Sequence, residues 1–149
     1  GMGIDLSEKA LAVAKKNAEK ILAEKDLCVD FLQGDLFEAL SGHEEKYDII
    51  VSNPPYIPTA VIDELEPEVK LHDPMMALDG KEDGLYFYRK IVAEAGKYLT
   101  RGGKLFFEIG YDQGEAVSNL LKDAGYTDIE IKQDYAGLDR VVFGTFLED

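Results

Sequence analysis

The run Tyr47-Asp48-Ile49-Ile50-Val51-Ser52 leads straight into Asn53-Pro54-Pro55-Tyr56, and this junction constrains the fold more than any other stretch of the chain. The β-branched centre of the first segment favours a strand. Two consecutive prolines hold φ near about −65°, remove two backbone donors and push the residue before each out of the helical region. Neither a ladder nor a helix continues through them. The segment therefore reads as a buried strand that delivers a rigid polar turn to its carboxyl end. The carbonyls of Asn53 and Pro54 are then available to a ligand. A planar amide or amino group fits such a turn: one hydrogen goes to the Asn53 side-chain oxygen, one to a backbone carbonyl, and the Tyr56 ring packs on its face.

The rest of the chain alternates helical and strand patterns. Leu11, Ala14, Ala18, Ile21 and Leu22 recur at helical spacing behind Ser7, with Glu8 in the first turn, and predict a helix over Glu8 to Glu24. Leu27 to Leu32 reads as a strand holding a buried Cys28, and Gly34-Asp35-Leu36-Phe37 as a turn. The long connection from Ile57 to Asp83 carries Pro58, Pro67 and Pro74 without a clean period, a pattern typical of functional loops. Leu85, Tyr88, Ile91, Val92, Ala95 and Leu99 predict an amphipathic helix stopped by Gly102-Gly103. A strand over Lys104 to Ile109 follows, then a helix over Gln113 to Ala124 ending at Gly125. A closing pair, Ile129 to Gln133 and Val141 to Phe146, is joined through Ala136-Gly137-Leu138-Asp139. Strands alternating with helices and ending in a hairpin imply an α/β fold, a mostly parallel sheet with an antiparallel carboxyl-terminal hairpin. Ligands in such sheets bind outside the carboxyl ends of the strands, which is where Asp5, Asp35, Asn53 and Glu108 fall. Asp5 is equally a candidate helix cap, with Ser7 competing for that role, and Asp35 a candidate turn residue.

Composition narrows the function. The 149 residues, 46% apolar and 31% charged, make one globular domain. Thirty acidic against 16 basic residues leave a net charge of −14, which argues against a duplex nucleic-acid partner. No segment has the length of a membrane span or the pattern of a signal peptide, and the single cysteine suits a reducing compartment, so a cytoplasmic location is expected. His43 and His72 are too isolated for a metal site. Gly1-Met2 resembles a tag remnant ahead of a start methionine, leaving residues 3–149 as the domain.

With these segments in view, the chain resembles the HemK/PrmC family of protein-(glutamine-N5) methyltransferases, which act on the Gly-Gly-Gln motif of peptide-chain release factors. The matching segments are Gly3-Ile4-Asp5-Leu6-Ser7, Phe31 to Phe37, Val51 to Pro58, Glu66-Pro67-Glu68-Val69, Ala77-Leu78-Asp79-Gly80, Asp83-Gly84-Leu85, Glu108 to Gly114 and Ala136 to Val142. The resemblance implies a Rossmann-like fold and S-adenosyl-L-methionine as cofactor. It gives Asp5 and Leu6 to the ribose side of that cofactor and Asp35 and Leu36 to its adenine, with Asn53 bordering both cofactor and substrate. Asn53, Pro54, Pro55 and Tyr56 are implied to bind the substrate amide, with Asn53, Pro54 and Tyr56 catalytic. A release factor is the implied partner.

In the family, a strand and a glycine-rich loop precede the Asp5 motif, and the chain is expected to lack both. That would leave the Tyr47 to Ser52 strand with an uncovered edge, weaken cofactor binding and favour a homodimer through that edge. The alternatives are an N6-adenine methyltransferase acting on DNA or RNA, a glutamine methyltransferase for a ribosomal protein, and an inactive remnant that only binds or dimerises.

Overall fold

The computed structural model describes residues 1–22, 25, 27–62, 64 and 75–147. Two compact units divide the chain, Gly1–Glu44 and Glu45–Asp149.

In the first unit, β1 (Met2–Asp5) pairs in parallel with β2 (Asp30–Gln33), Met2 opposite Asp30 and Asp5 opposite Gln33. Helix α1 (Glu8–Leu22) connects them, and a 3-10 helix over Leu36–Leu40 follows β2. Among the described residues Leu11, Phe37 and Leu40 are its buried apolar side chains. Two expectations are corrected here. Met2 belongs to the fold, as the first residue of β1. Cys28 is exposed, because the four-residue β1 sets the pairing and β2 begins only at Asp30, beyond the cysteine. Leu27, at 61% exposure, is likewise outside the strand predicted from it. The predicted end of α1 at Ala23-Glu24 lies outside the described residues.

The second unit is built on a four-stranded sheet in the order β3-β4-β6-β5. Strand β3 (Tyr47–Ser52) runs parallel to β4 (Leu99–Glu108), while β6 (Asp139–Thr145) is antiparallel to both β4 and β5 (Thr127–Gln133). Short helices α2 (Thr59–Ile62) and α3 (Met75–Leu78) precede α4 (Tyr86–Ala95), and α5 (Gly114–Asp123) joins β4 to β5. Tyr88, Ile91, Leu99, Leu105, Phe107, Ile109, Val117, Leu121 and Val142 form a core with essentially no solvent exposure. The Tyr88 and Phe107 rings meet edge to face, their centroids 5.1 Å apart.

Two further expectations change. Helix α4 ends at Ala95, and Gly102-Gly103 lies within β4. Leu99 is buried as a strand residue, and its position on the helical period was coincidental. The two glycines serve different ends: Gly102 holds φ +83° in open space, and a Cβ at Gly103 would stand 2.8 Å from the Thr100 carbonyl oxygen. Strand β3 is not buried on both faces, since Ile49 and Val51 are 59% and 73% exposed. Among the described residues β3 is an edge strand paired with β4 alone. The Glu66-Pro67-Glu68-Val69 segment lies outside the described residues, as do His72 and Pro74.

Candidate active-site turns

Each unit presents a turn at the carboxyl end of a parallel strand, and the two turns are held differently.

In the first unit Asp5 ends β1 and its Oδ1 accepts from the Ser7 N–H at 2.7 Å. Ser7 in turn accepts from the Ala10 N–H through Oγ at 3.2 Å, which satisfies one of the open donors at the start of α1. The capping role therefore falls to Ser7. Asp5 is exposed, and its second oxygen bonds no group among the described residues. The Gly34 N–H donates to the Asp5 carbonyl at 3.1 Å, and the Gln33 side-chain amide donates to the Leu6 carbonyl at 3.2 Å. These bonds bring Asp5, Leu6, Asp35 and Leu36 to one end of the small sheet. Leu36 holds φ +52°, a left-handed conformation that costs a leucine about 1–2 kcal/mol. Strain of this kind concentrates where backbone shape serves a ligand.

In the second unit, β3 delivers Asn53-Pro54-Pro55-Tyr56. Pro54 is buried and the Asn53 side chain is exposed, with no hydrogen-bond partner among the described residues. Tyr56 is fixed through its backbone. Its carbonyl accepts from Gln113 Nε2 at 3.0 Å, and that amide also reaches the Gly84 carbonyl at 3.3 Å. The other end of the same amide, Oε1, accepts from the Gly110 N–H at 3.0 Å and faces the Tyr88 hydroxyl at 3.4 Å. The shorter bond of that hydroxyl, 2.9 Å, goes to the Glu108 carbonyl. Burial first, then the neighbouring Tyr56 and Glu108, pushes the Tyr88 phenol well above the usual tyrosine range, so it remains a neutral donor.

Three glycines let the chain close around Tyr56. A Cβ at Gly80 would lie 2.7 Å from the Tyr56 carbonyl carbon, one at Gly84 2.3 Å from the Tyr56 oxygen, and one at Gly110 3.3 Å from its ring. Beyond the turn, Ile57 N–H donates to the Leu78 carbonyl at 3.0 Å and Gly80 N–H returns to the Ile57 carbonyl at 2.8 Å. Asp79 locks this pairing. It accepts from the Thr59 hydroxyl at 2.6 Å and from the backbone and ammonium of Lys81, each at 3.0 Å. The Thr59 hydroxyl, then Lys81, holds the Asp79 carboxyl down at about 2. The Arg89 guanidinium, then the Leu85 N–H, does the same for Asp83, also to about 2.

All the predicted turn residues thus lie at strand ends, Asp5, Leu6, Asp35 and Leu36 in one unit and Asn53, Pro54, Pro55 and Tyr56 in the other. The sequence reading missed Gln113 as a contact of the turn. Its one signal in the sequence is its place in the Glu108 to Gly114 segment that carries the family resemblance.

Residues 2–65 match the family model of the methyltransferase small domain. A release factor glutamine methyltransferase of Caulobacter vibrioides is 46% identical over 144 residues, covering 97% of this chain and 48% of that protein. One from Geobacter sulfurreducens is 46% identical over 143 residues, covering 96% and 48%. The chain spans about half the length of these relatives. Among solved structures, a methyltransferase from Pyrococcus furiosus is similar with a TM-score of 0.67 at 16% identity, covering 99% of this chain and 62% of that one. A release factor-specific protein-(glutamine-N5) methyltransferase from Alicyclobacillus acidocaldarius gives 0.53 at 22% identity, covering 99% and 79%. A 16S rRNA methyltransferase from T. thermophilus, in complex with AdoMet and guanosine, gives 0.57 at 19% identity, covering 97% and 31%. These structures share the Rossmann-like methyltransferase fold.

Proposed function

From the premise that this chain belongs to the release factor glutamine methyltransferase family, we propose that its protein transfers a methyl group from S-adenosyl-L-methionine to the side-chain amide nitrogen of a glutamine. The target we infer is the Gly-Gly-Gln motif of a peptide-chain release factor in the cytoplasm. The observation that carries this reading is the Asn53 to Tyr56 turn, with an exposed asparagine amide on a backbone fixed from behind by Gln113.

The donor set of the first unit fits the cofactor. Asp5 offers a carboxylate oxygen with no partner among the described residues, an acceptor suited to ribose hydroxyls, and Asp35 with the left-handed Leu36 would lie on the adenine side. When bound, S-adenosyl-L-methionine supplies an electrophilic methyl group. The protein's task is then to present a poor nucleophile correctly. The lone pair of an amide nitrogen is delocalised into its carbonyl. Accepting one N–H at the Asn53 side-chain oxygen and the other at the Pro54 carbonyl enriches that nitrogen and fixes its direction of attack. The Tyr56 ring supports the flat amide from one side. This is catalysis by orientation and electrostatics, and it calls for no strong base ahead of transfer.

The test is to incubate the protein with S-adenosyl-L-methionine and a release factor and to map methyl groups by peptide mass spectrometry. The expected result is one methyl on the glutamine of Gly-Gly-Gln, abolished when that glutamine is replaced by alanine. Methylation of adenine in a DNA or RNA oligonucleotide, with none on the release factor, overturns the reading.

A further inference from the structure

The side-chain amide of Gln113 lies at the centre of the second unit's turn, at 8% exposure, although Gln113 stands 57 positions from Tyr56 in the chain. Its surroundings settle which end is which. Two carbonyl oxygens, of Tyr56 and Gly84, demand a donor on one side, and the Gly110 N–H demands an acceptor on the other. The Gln113 amide answers both, its Nε2 donating and its Oε1 accepting. Glu108, two residues before Gly110, keeps its carbonyl on the Tyr88 hydroxyl. The amide thus ties the turn after β3 to the end of β4, to the loop at Gly84 and to α4.

We propose that Gln113 is a positioning residue for methyl acceptance: it occupies the Tyr56 carbonyl and so holds the Asn53-Pro54 acceptor pair in a fixed direction for the incoming amide. The proposal rests on the reading of the turn as the amide site. Gln113 does not touch the substrate and acts through the backbone of Tyr56. A carboxylate at this position would set an oxygen against the Tyr56 and Gly84 carbonyls, and an alkyl group would leave both carbonyls and the Gly110 N–H unpaired. Either change releases the turn while the fully buried Phe107, Leu105 and Val142 keep their packing.

Two variants, Gln113→Glu and Gln113→Leu, decide the matter in two measurements. The first, hydrogen exchange of the protein without any ligand, does not depend on activity. Exchange at Ile57, Gly80 and Leu85 is expected to accelerate by about tenfold or more, with the Val141 to Phe143 amides of β6 unchanged. Equal acceleration in β6, or none at Ile57 and Gly80, overturns the clamp. In the second, kcat for glutamine methylation is expected to fall by about 100-fold in both variants, with KM for S-adenosyl-L-methionine within about threefold of wild type. A loosened turn with wild-type kcat overturns the positioning role. If the unaltered protein transfers no methyl to glutamine, the functional reading fails on its own, and the exchange result still decides whether Gln113 holds the turn.

Discussion

The two strand-end turns solve one problem with opposite means. The Asp5 turn is held at the surface, by Asp5 to Ser7 and Ser7 to Ala10 within a few residues and by Gln33 and Gly34 from the neighbouring strand end, in a unit whose buried apolar side chains among the described residues are Leu11, Phe37 and Leu40. The Asn53 turn is held from behind by Gln113, Gly80, Gly84 and Gly110, residues distant in sequence and buried against a core from Tyr88 to Val142. A locally capped turn can adjust to a flexible ligand. A turn fixed by a buried amide cannot, and that rigidity suits the orientation of a weak nucleophile.

This contrast sets the expected order of damage. The largest stability effect belongs to Gly84→Ala, where the new methyl meets the Tyr56 carbonyl at 2.3 Å and the residue must hold φ +73°. The left-handed cost and the overlap together predict about 4 kcal/mol lost. Gly42→Ala, at φ +84° with open space around it, is expected to cost only about 1 kcal/mol. Chemical denaturation of both variants makes the comparison, and equal losses would break it. Next comes the core. Leu105→Ala, with no exposure, should cost about 3 kcal/mol, and Leu11→Ala about 2 kcal/mol in the less deeply buried first unit.

Ser7→Ala is smaller again, about 1 kcal/mol, the loss of a helix cap. It is expected to raise exchange in the first turn of α1 and nowhere in β4. The gentlest effect is acid sensitivity at the base of the second turn. Asp79 titrates at about 2 in the fold, below its ordinary value, because Thr59 and Lys81 hold the ionised form. Its stabilising contribution is complete above about pH 4 and is lost as the pH falls through about 2. In Asp79→Asn the acid limb of a melting-temperature profile should flatten over that window, and an unchanged limb would show that the carboxylate does not support the turn.

Much of this was legible in the sequence because it is local. Tyr47–Ser52 was recognised to the residue from β-branched centre and proline stop, and α1 from its period and Ser7. The errors came where a distant partner decides. Leu99 continues the helical period of α4 yet sits in β4, since Gly96 to Tyr98 turn the chain well before Gly102-Gly103. Ile49 and Val51 are apolar and still exposed, because burial of a strand's side chains depends on what packs over its face. Asn53 and Asp5 stand out by residue type and spacing. Gln113 does not, since nothing near it in sequence indicates that its amide will meet a carbonyl 57 residues earlier.

The most direct test of the account is Asn53→Ala, a change at an exposed side chain on a turn secured by other residues. Methylation of the release-factor glutamine would be followed by peptide mass spectrometry alongside a thermal melt of the same preparation. The rate is expected to fall by about two orders of magnitude or more with the melting temperature essentially unchanged. Glutamine methylation at the wild-type rate in Asn53→Ala would contradict it, because the turn could then not be where the amide is held.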